Sequence, residues 1–161
     1  MWWSRRRLVL AAAGAAALAG CGFAPAYGPD GGALALRGAV RADDPDTEFG
    51  FDFVTELERR LGPPDAPRYA LGWALTTSER ELAIDEANTI TRFNVEGRLA
   101  WTLTPLGAEA PVVRAVETHF TSYSATGSTI STLASQQDAE ERLAVILADA
   151  VVARLLAEPG L

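Results

Sequence analysis

The chain has 161 residues but only one cysteine and one histidine, and it has no lysine: all fourteen basic residues are arginine. A single cysteine, Cys21, excludes an intrachain disulfide framework and any multi-cysteine zinc or iron–sulfur site. A single histidine, His119, removes every His-pair metal layout. Twenty-one acids against fourteen arginines leave a net charge of −7, so the chain as a whole lacks the basic excess that phosphate binding by nucleic-acid proteins requires. No glycine-rich phosphate loop follows a strand and opens a helix. The longest apolar run, Leu8 to Ala19, is short of the ~20 residues that a helix needs to cross a bilayer.

That short run sits behind Arg5, Arg6 and Arg7, and the first twenty residues contain no acid. A charged head, a short apolar stretch and small residues at its end make an export signal. Ser4-Arg5-Arg6-Arg7-Leu8 also has some likeness to a twin-arginine signal, so the general secretory and twin-arginine routes are both open. The run ends Leu18-Ala19-Gly20-Cys21, which resembles the lipobox of bacterial lipoproteins. The resemblance implies acylation of the Cys21 thiol and cleavage just before it. More than one acyl chain is needed for firm anchoring, because a single chain binds a bilayer only marginally. Loss of residues 1–20 leaves 141 residues, with eleven arginines against twenty-one acids and a net charge of −10.

Residues 21–32 are rich in glycine and proline and form a flexible lipidated arm. A single domain is expected over 33–158. Ala33 to Val40 fits a first strand, and Asp43-Asp44-Pro45-Asp46 fits a helix start with an acidic cap and proline in the first turn. Phe49, Phe53, Leu57 and Leu61 recur every four residues, with Val54 beside them and Glu56, Glu58, Arg59 and Arg60 on the other side. This is an amphipathic helix with one buried stripe, stopped by Gly62-Pro63-Pro64.

Alternation follows. Tyr69, Leu71, Trp73 and Leu75 share one face of a strand. In the next, Phe93, Val95, Leu99, Trp101 and Leu103 oppose Arg92, Asn94, Glu96, Arg98 and Thr102. Val112 to Tyr123 makes a fourth strand, and short links imply an antiparallel meander. Ser124 to Ser135 has the composition of a loop, and Ser135-Gln136-Gln137-Asp138 resembles a capping box. It opens a last helix to about Ala157, with Leu143, Ile146, Leu147, Ala150, Val151 and Leu155 along one side. The expected fold is α+β: a two-layer sandwich of two helices on a mostly antiparallel four-stranded sheet.

Catalysis needs a nucleophile with an activating base and an orienting group. His119 is the only imidazole, and its neighbours Glu117, Thr121 and Ser122 on one strand do not form a triad, so no enzyme activity is expected. Glu79, Glu81, Asp85 and Glu86 cluster between the second and third strands without the glycine and spacing of a calcium loop. They are expected to form a solvated acidic hairpin. Neither a metal nor a cofactor is expected.

The order of features resembles the LPS-assembly lipoprotein LptE family. The likeness rests on Cys21-Gly22-Phe23 with Pro25 and Tyr27-Gly28 behind the lipobox, and on the Phe49–Leu61 helix ending in glycine. Arg92 entering the third strand, Tyr123 closing the fourth and Asp138-Ala139-Glu140 starting the last helix add to it. The resemblance implies a periplasm-facing lipoprotein anchored in the cell outer membrane, and Gly22 after the lipidated cysteine fits outer-membrane sorting. It implies a partner, the LptD-like β-barrel, which the chain plugs and helps assemble while lipopolysaccharide moves to the outer leaflet. Contact with lipopolysaccharide phosphates would call on basic residues between the second and third strands, where Arg80 and Arg92 are the candidates. The four acids beside them place plug and assembly roles ahead of direct contact. A different expectation from the same anchor is an auxiliary lipoprotein of another periplasmic lipid-transport complex.

Overall fold

A computed structural model describes Gly28, residues 32–84 and 90–158, and Leu161. The signal sequence, Cys21, Phe23, Tyr27, Asp85 and Glu86 lie outside the described residues. The chain divides into units 1–34 and 35–161, and the sheet belongs to the second. Helix α1 (Gly32–Leu36) is followed by strand β1 (Val40–Ala42), helix α2 (Glu48–Leu61), strands β2 (Tyr69–Ile84), β3 (Ile90–Pro105) and β4 (Val113–Ser124), and helix α3 (Thr129–Ala157). The sheet order is β1-β2-β3-β4, with β1 parallel to β2 and the remaining pairs antiparallel. The expected α+β architecture, with helices packed on an open and mostly antiparallel sheet, is what the structure contains.

Three expected boundaries are corrected. Residues 33–36 are helical, and the strand begins only at Val40. Alternating Ala and Leu imitate a strand period, but both are strong helix formers. The turn is closed by Gly38 at φ +66, whose N–H donates to the carbonyl of Leu61 at 2.7 Å. Helix α2 is capped by Thr47, whose hydroxyl accepts from the Gly50 N–H at 3.1 Å, and not by the Asp43–Asp46 run. Asp43 is committed to the sheet: its N–H donates to Leu71 O at 3.0 Å, and its carbonyl accepts from the Trp73 indole at 3.1 Å.

Helix α3 starts at Thr129 under a Ser128 cap, well before Ser135. The Ser131 and Ser135 hydroxyls bond back to the carbonyls of Ser128 and Ser131, at 2.8 and 2.9 Å. Serines that suggest a loop by composition are thus satisfied within a helix.

The Phe49, Phe53, Leu57 and Leu61 stripe is buried as expected, and Gly62 ends α2 at φ +80. Phe53 is fully enclosed, with its ring 5.2 Å from that of Trp73. On α3 the buried line is Leu143, Leu147, Val151 and Leu155, widened by Ala144, Ala148 and Val152. Ile146 and Ala150, expected on that line, are only half-buried, and Ala139, Ala144 and Ala148 are buried on the contact face instead. Leu71, Val95, Leu99, Trp101 and Leu103 complete the core from the sheet. Gly97 lets α3 approach β3, since a Cβ there would lie 3.1 Å from Leu143 Cδ2 and Leu147 Cδ1.

The two long helices are also joined through charge. Arg60 of α2 reaches both Glu56 and Asp149 of α3. These partners hold the guanidinium pKa above its ordinary value, the hydrogen bond to Asp149 contributing most, while hydrogen bonds from Arg59 and Arg60 hold Glu56 below its own.

Candidate functional site

One face of the sheet is covered by α2 and α3; the other is left open among the described residues. Directly paired residues share a face, so the register assigns every side chain. Gly72, Thr102 and Arg114 form one open row, followed by Ala74, Ala100 and Val116, then by Thr76, Arg98 and Thr118. Ser78, Glu96 and Phe120 come next, and Arg80, Asn94 and Ser122 lie beyond them. Arg41 enters the same face through its pairing with Ala70. The small side chains of Gly72, Ala74 and Ala100 leave a shallow depression edged by Arg114 and Val116.

The strand residues of this face carry Arg41, Arg80, Arg92, Arg98 and Arg114 against a single acid, Glu96. Asp43, outside the strands, borders it beside Gly72. A chain with an excess of acids therefore presents a cationic sheet face. Composition could not reveal this, because the sign of the face depends on strand parity and register.

The candidate residues Arg80 and Arg92 fall at the far end of this face, where β2, β3 and β4 are still paired side by side. Arg80 pairs with Asn94, and Arg92 lies two residues along from Asn94 on β3, so the register sets both arginines on the open face. Both are exposed. Their surroundings differ from the sequence expectation. Glu79, Arg80 and Glu81 are not in a hairpin loop; they continue β2 in register with Val95, Asn94 and Phe93.

Alternation therefore turns Glu79 and Glu81 away from Arg80. Glu79 instead accepts a hydrogen bond from the Tyr123 hydroxyl at 3.1 Å, and the Tyr123 ring stacks on Phe93 at 5.3 Å. Burial first, then the Glu79 carboxylate, push the Tyr123 phenol up to about 12. Tyr123, singled out only as the end of a strand, thus ties β4 to β2 and β3 beneath Arg80 and Arg92.

His119 lies half-buried on β4 opposite Gly97, with no hydrogen-bond or ion-pair partner among the described residues. Glu117 is two positions away on the same strand face. No group of three His, Cys, Asp or Glu suited to a metal ion occurs among the described residues.

No protein-family model matches the chain, and no curated protein matches it. Solved structures do. A Caulobacter crescentus protein assigned as a lipoprotein aligns at a TM-score of 0.66 with 19% identity, over 78% of this chain and 93% of its own. Rare lipoprotein B from Shewanella oneidensis aligns at 0.55 with 11% identity, over 73% and 91%. A minor lipoprotein from Acinetobacter baumannii gives 0.53 with 12% identity, over 74% and 89%. At such identities the likeness is one of fold: two long helices on an open four-stranded sheet, shared with three bacterial lipoproteins.

Proposed function

We propose that this chain is a non-catalytic outer-membrane lipoprotein of the LptE kind, anchored through Cys21 on the periplasmic side. It plugs an LptD-like β-barrel and helps assemble it, and its open sheet face receives lipopolysaccharide on its way to the outer leaflet. The observation that carries this reading is the segregation of charge: five arginines and one glutamate on the strands of the uncovered face, in an otherwise acidic chain. Arginine pairs with phosphate through two parallel N–H donors, and such contacts are about twice as strong as neutral ones. Arg80 and Arg92 stand at the far end of the open face, where Glu96 is the one acid among the strand residues and Glu79 and Glu81 are turned to the other side, so they are the pair assigned to lipid phosphates. Thr76, Thr102 and Thr118 supply neutral hydrogen-bonding groups suited to a polar barrel lumen.

The fold shared with three lipoproteins and the Leu18-Ala19-Gly20-Cys21 lipobox both support the anchor. Tethering supports the partnership, since it raises the local concentration of the domain at a barrel in the same membrane.

Detergent extraction followed by affinity capture of the full chain tests the reading. Copurification of a large β-barrel is expected; its absence, or recovery of another lipid-transport complex, defeats it. Cys21→Ser is expected to move the protein from the membrane fraction to the soluble periplasm, and continued membrane retention would remove the anchor.

A further inference from the structure

Strand β1 covers little of its neighbour. It pairs with Tyr69, Ala70 and Leu71 and stops, while β2 continues from Gly72 to Ile84 with no strand beside it on that edge among the described residues. The Asp43 N–H reaches Leu71 O from this side at 3.0 Å. Alternation therefore turns the backbone N–H and C=O groups of Trp73, Leu75 and Thr77 to the same edge. Edge strands are normally blunted by charge, proline or a covering element. Trp73 to Ser78 contains neither a charge nor a proline, and Ala74, Thr76, Thr77 and Ser78 are exposed.

A groove of about 590 Å³ runs along this stretch. Phe49, Trp73 and Leu75 form its apolar side, and the turn that carries Asp43, Asp44 and Asp46 forms its outer side. The Trp73 indole holds that turn through the Asp43 carbonyl at 3.1 Å, and the Thr47 cap fixes its other end. All three aspartates are exposed, and none forms an ion pair among the described residues.

We propose that this edge binds an extended, basic segment of a partner protein, which continues the lane of β1 along β2 as an added strand. In such an arrangement main-chain hydrogen bonds, here to Trp73, Leu75 and Thr77, supply the affinity, and alternate side chains supply the selectivity. One set of alternate residues meets Phe49 and Leu75, which favours apolar side chains there. The residues between them meet the aspartates, which favours arginine or lysine. The charge of the groove selects a cationic strand, since an acidic one would face three like charges.

One copy of the domain contains the whole site. The inference is independent of the barrel reading, because it does not depend on which protein supplies the segment.

The test uses the full chain in non-ionic detergent micelles and a short end-blocked peptide of alternating arginine and valine, valine being a strong strand former. The peptide is expected to bind by fluorescence anisotropy and to slow hydrogen exchange at the Trp73, Leu75 and Thr77 amides. N-methylation of every peptide amide keeps the charge but removes the ladder donors, and is expected to weaken binding about tenfold or more. Thr77→Pro leaves the β3 ladder intact, because its lost N–H faces the free edge. Asp44→Arg with Asp46→Arg reverses the charge of the outer side. Each of these is expected to lower affinity to a similar degree. If the proline variant does not fold, the N-methylated peptide on the unaltered chain decides. No binding, equal binding of the N-methylated peptide, or affinity unchanged by the charge reversal would overturn the proposal. So would slow exchange at the three amides before peptide is added, which would mean that the edge is already occupied.

Discussion

The two faces of the sheet are built from the same strands, residue by residue in alternation, yet they do different work. The covered face carries Leu71, Leu99, Trp101 and Leu103 into contact with α2 and α3. The open face carries arginine, threonine and alanine in the same rows of pairs. The buried side chains of the covered face have neighbours on all sides, so their size and shape determine stability. On the open face the side chains are solvated, and what matters is their sign and spacing. The difference separates folding from function across a single pleat. A substitution on one face should alter stability and leave recognition alone, and one on the other should do the reverse.

The largest expected effect comes from the covered side. Phe53→Ala removes a fully buried ring that rests against Trp73 and should cost about 3–5 kcal/mol, read as a lower denaturant midpoint. A cost of less than about 1 kcal/mol would mean that the helices do not share one core with the sheet.

Tyr123 lies on the covered side of the sheet and gives an intermediate effect. Its Phe variant loses the hydrogen bond to Glu79 and should be about 1 kcal/mol less stable at neutral pH. Its pH dependence sharpens the comparison. The folded-state pKa is about 12, above the ordinary 10.0. The contribution of the neutral phenol is therefore complete below pH 10 and lost as pH rises from 10 to 12. Thermal melts of the unaltered chain should fall more steeply across that window than melts of Tyr123→Phe. Equal slopes would show that the phenol is not held in its neutral form.

The smallest effect on stability belongs to the open face. Arg80→Glu with Arg92→Glu should change the unfolding free energy by no more than about 0.5 kcal/mol, as is usual for exposed sites. The same pair should abolish most binding to vesicles containing lipopolysaccharide. Unchanged vesicle binding would remove both arginines from the site, whereas a large loss of stability would break the division between the faces.

Much of the fold was legible because burial imposes a period. The Phe49–Leu61 stripe and the alternation through β3 could each be read without a partner in view, since an amphipathic element repeats its apolar residues at its own pitch. The same logic failed where composition imitated another state. Ala33 to Leu36 alternates like a strand but is a helix, and the serines ahead of Gln136 looked like a loop until their hydroxyls were found bonded along α3. The Asp43–Asp46 run carried a strong local capping signal, and tertiary hydrogen bonds to Leu71 and Trp73 took Asp43 instead.

Arg80 and Arg92 were visible as candidates in the sequence. Their freedom from Glu79 and Glu81 was not, because it depends on β2 continuing in register past Thr76. By itself the sequence determined the N-terminal lipobox pattern, the two amphipathic helices, the succession of long strands and the excess of acid, all of which are local or additive properties. Only the tertiary structure decided where the charges went. Strand parity and register sorted Arg41, Arg80, Arg92, Arg98 and Arg114 onto one open surface, and sidedness in a sheet is a relation between strands that no single stretch of chain contains.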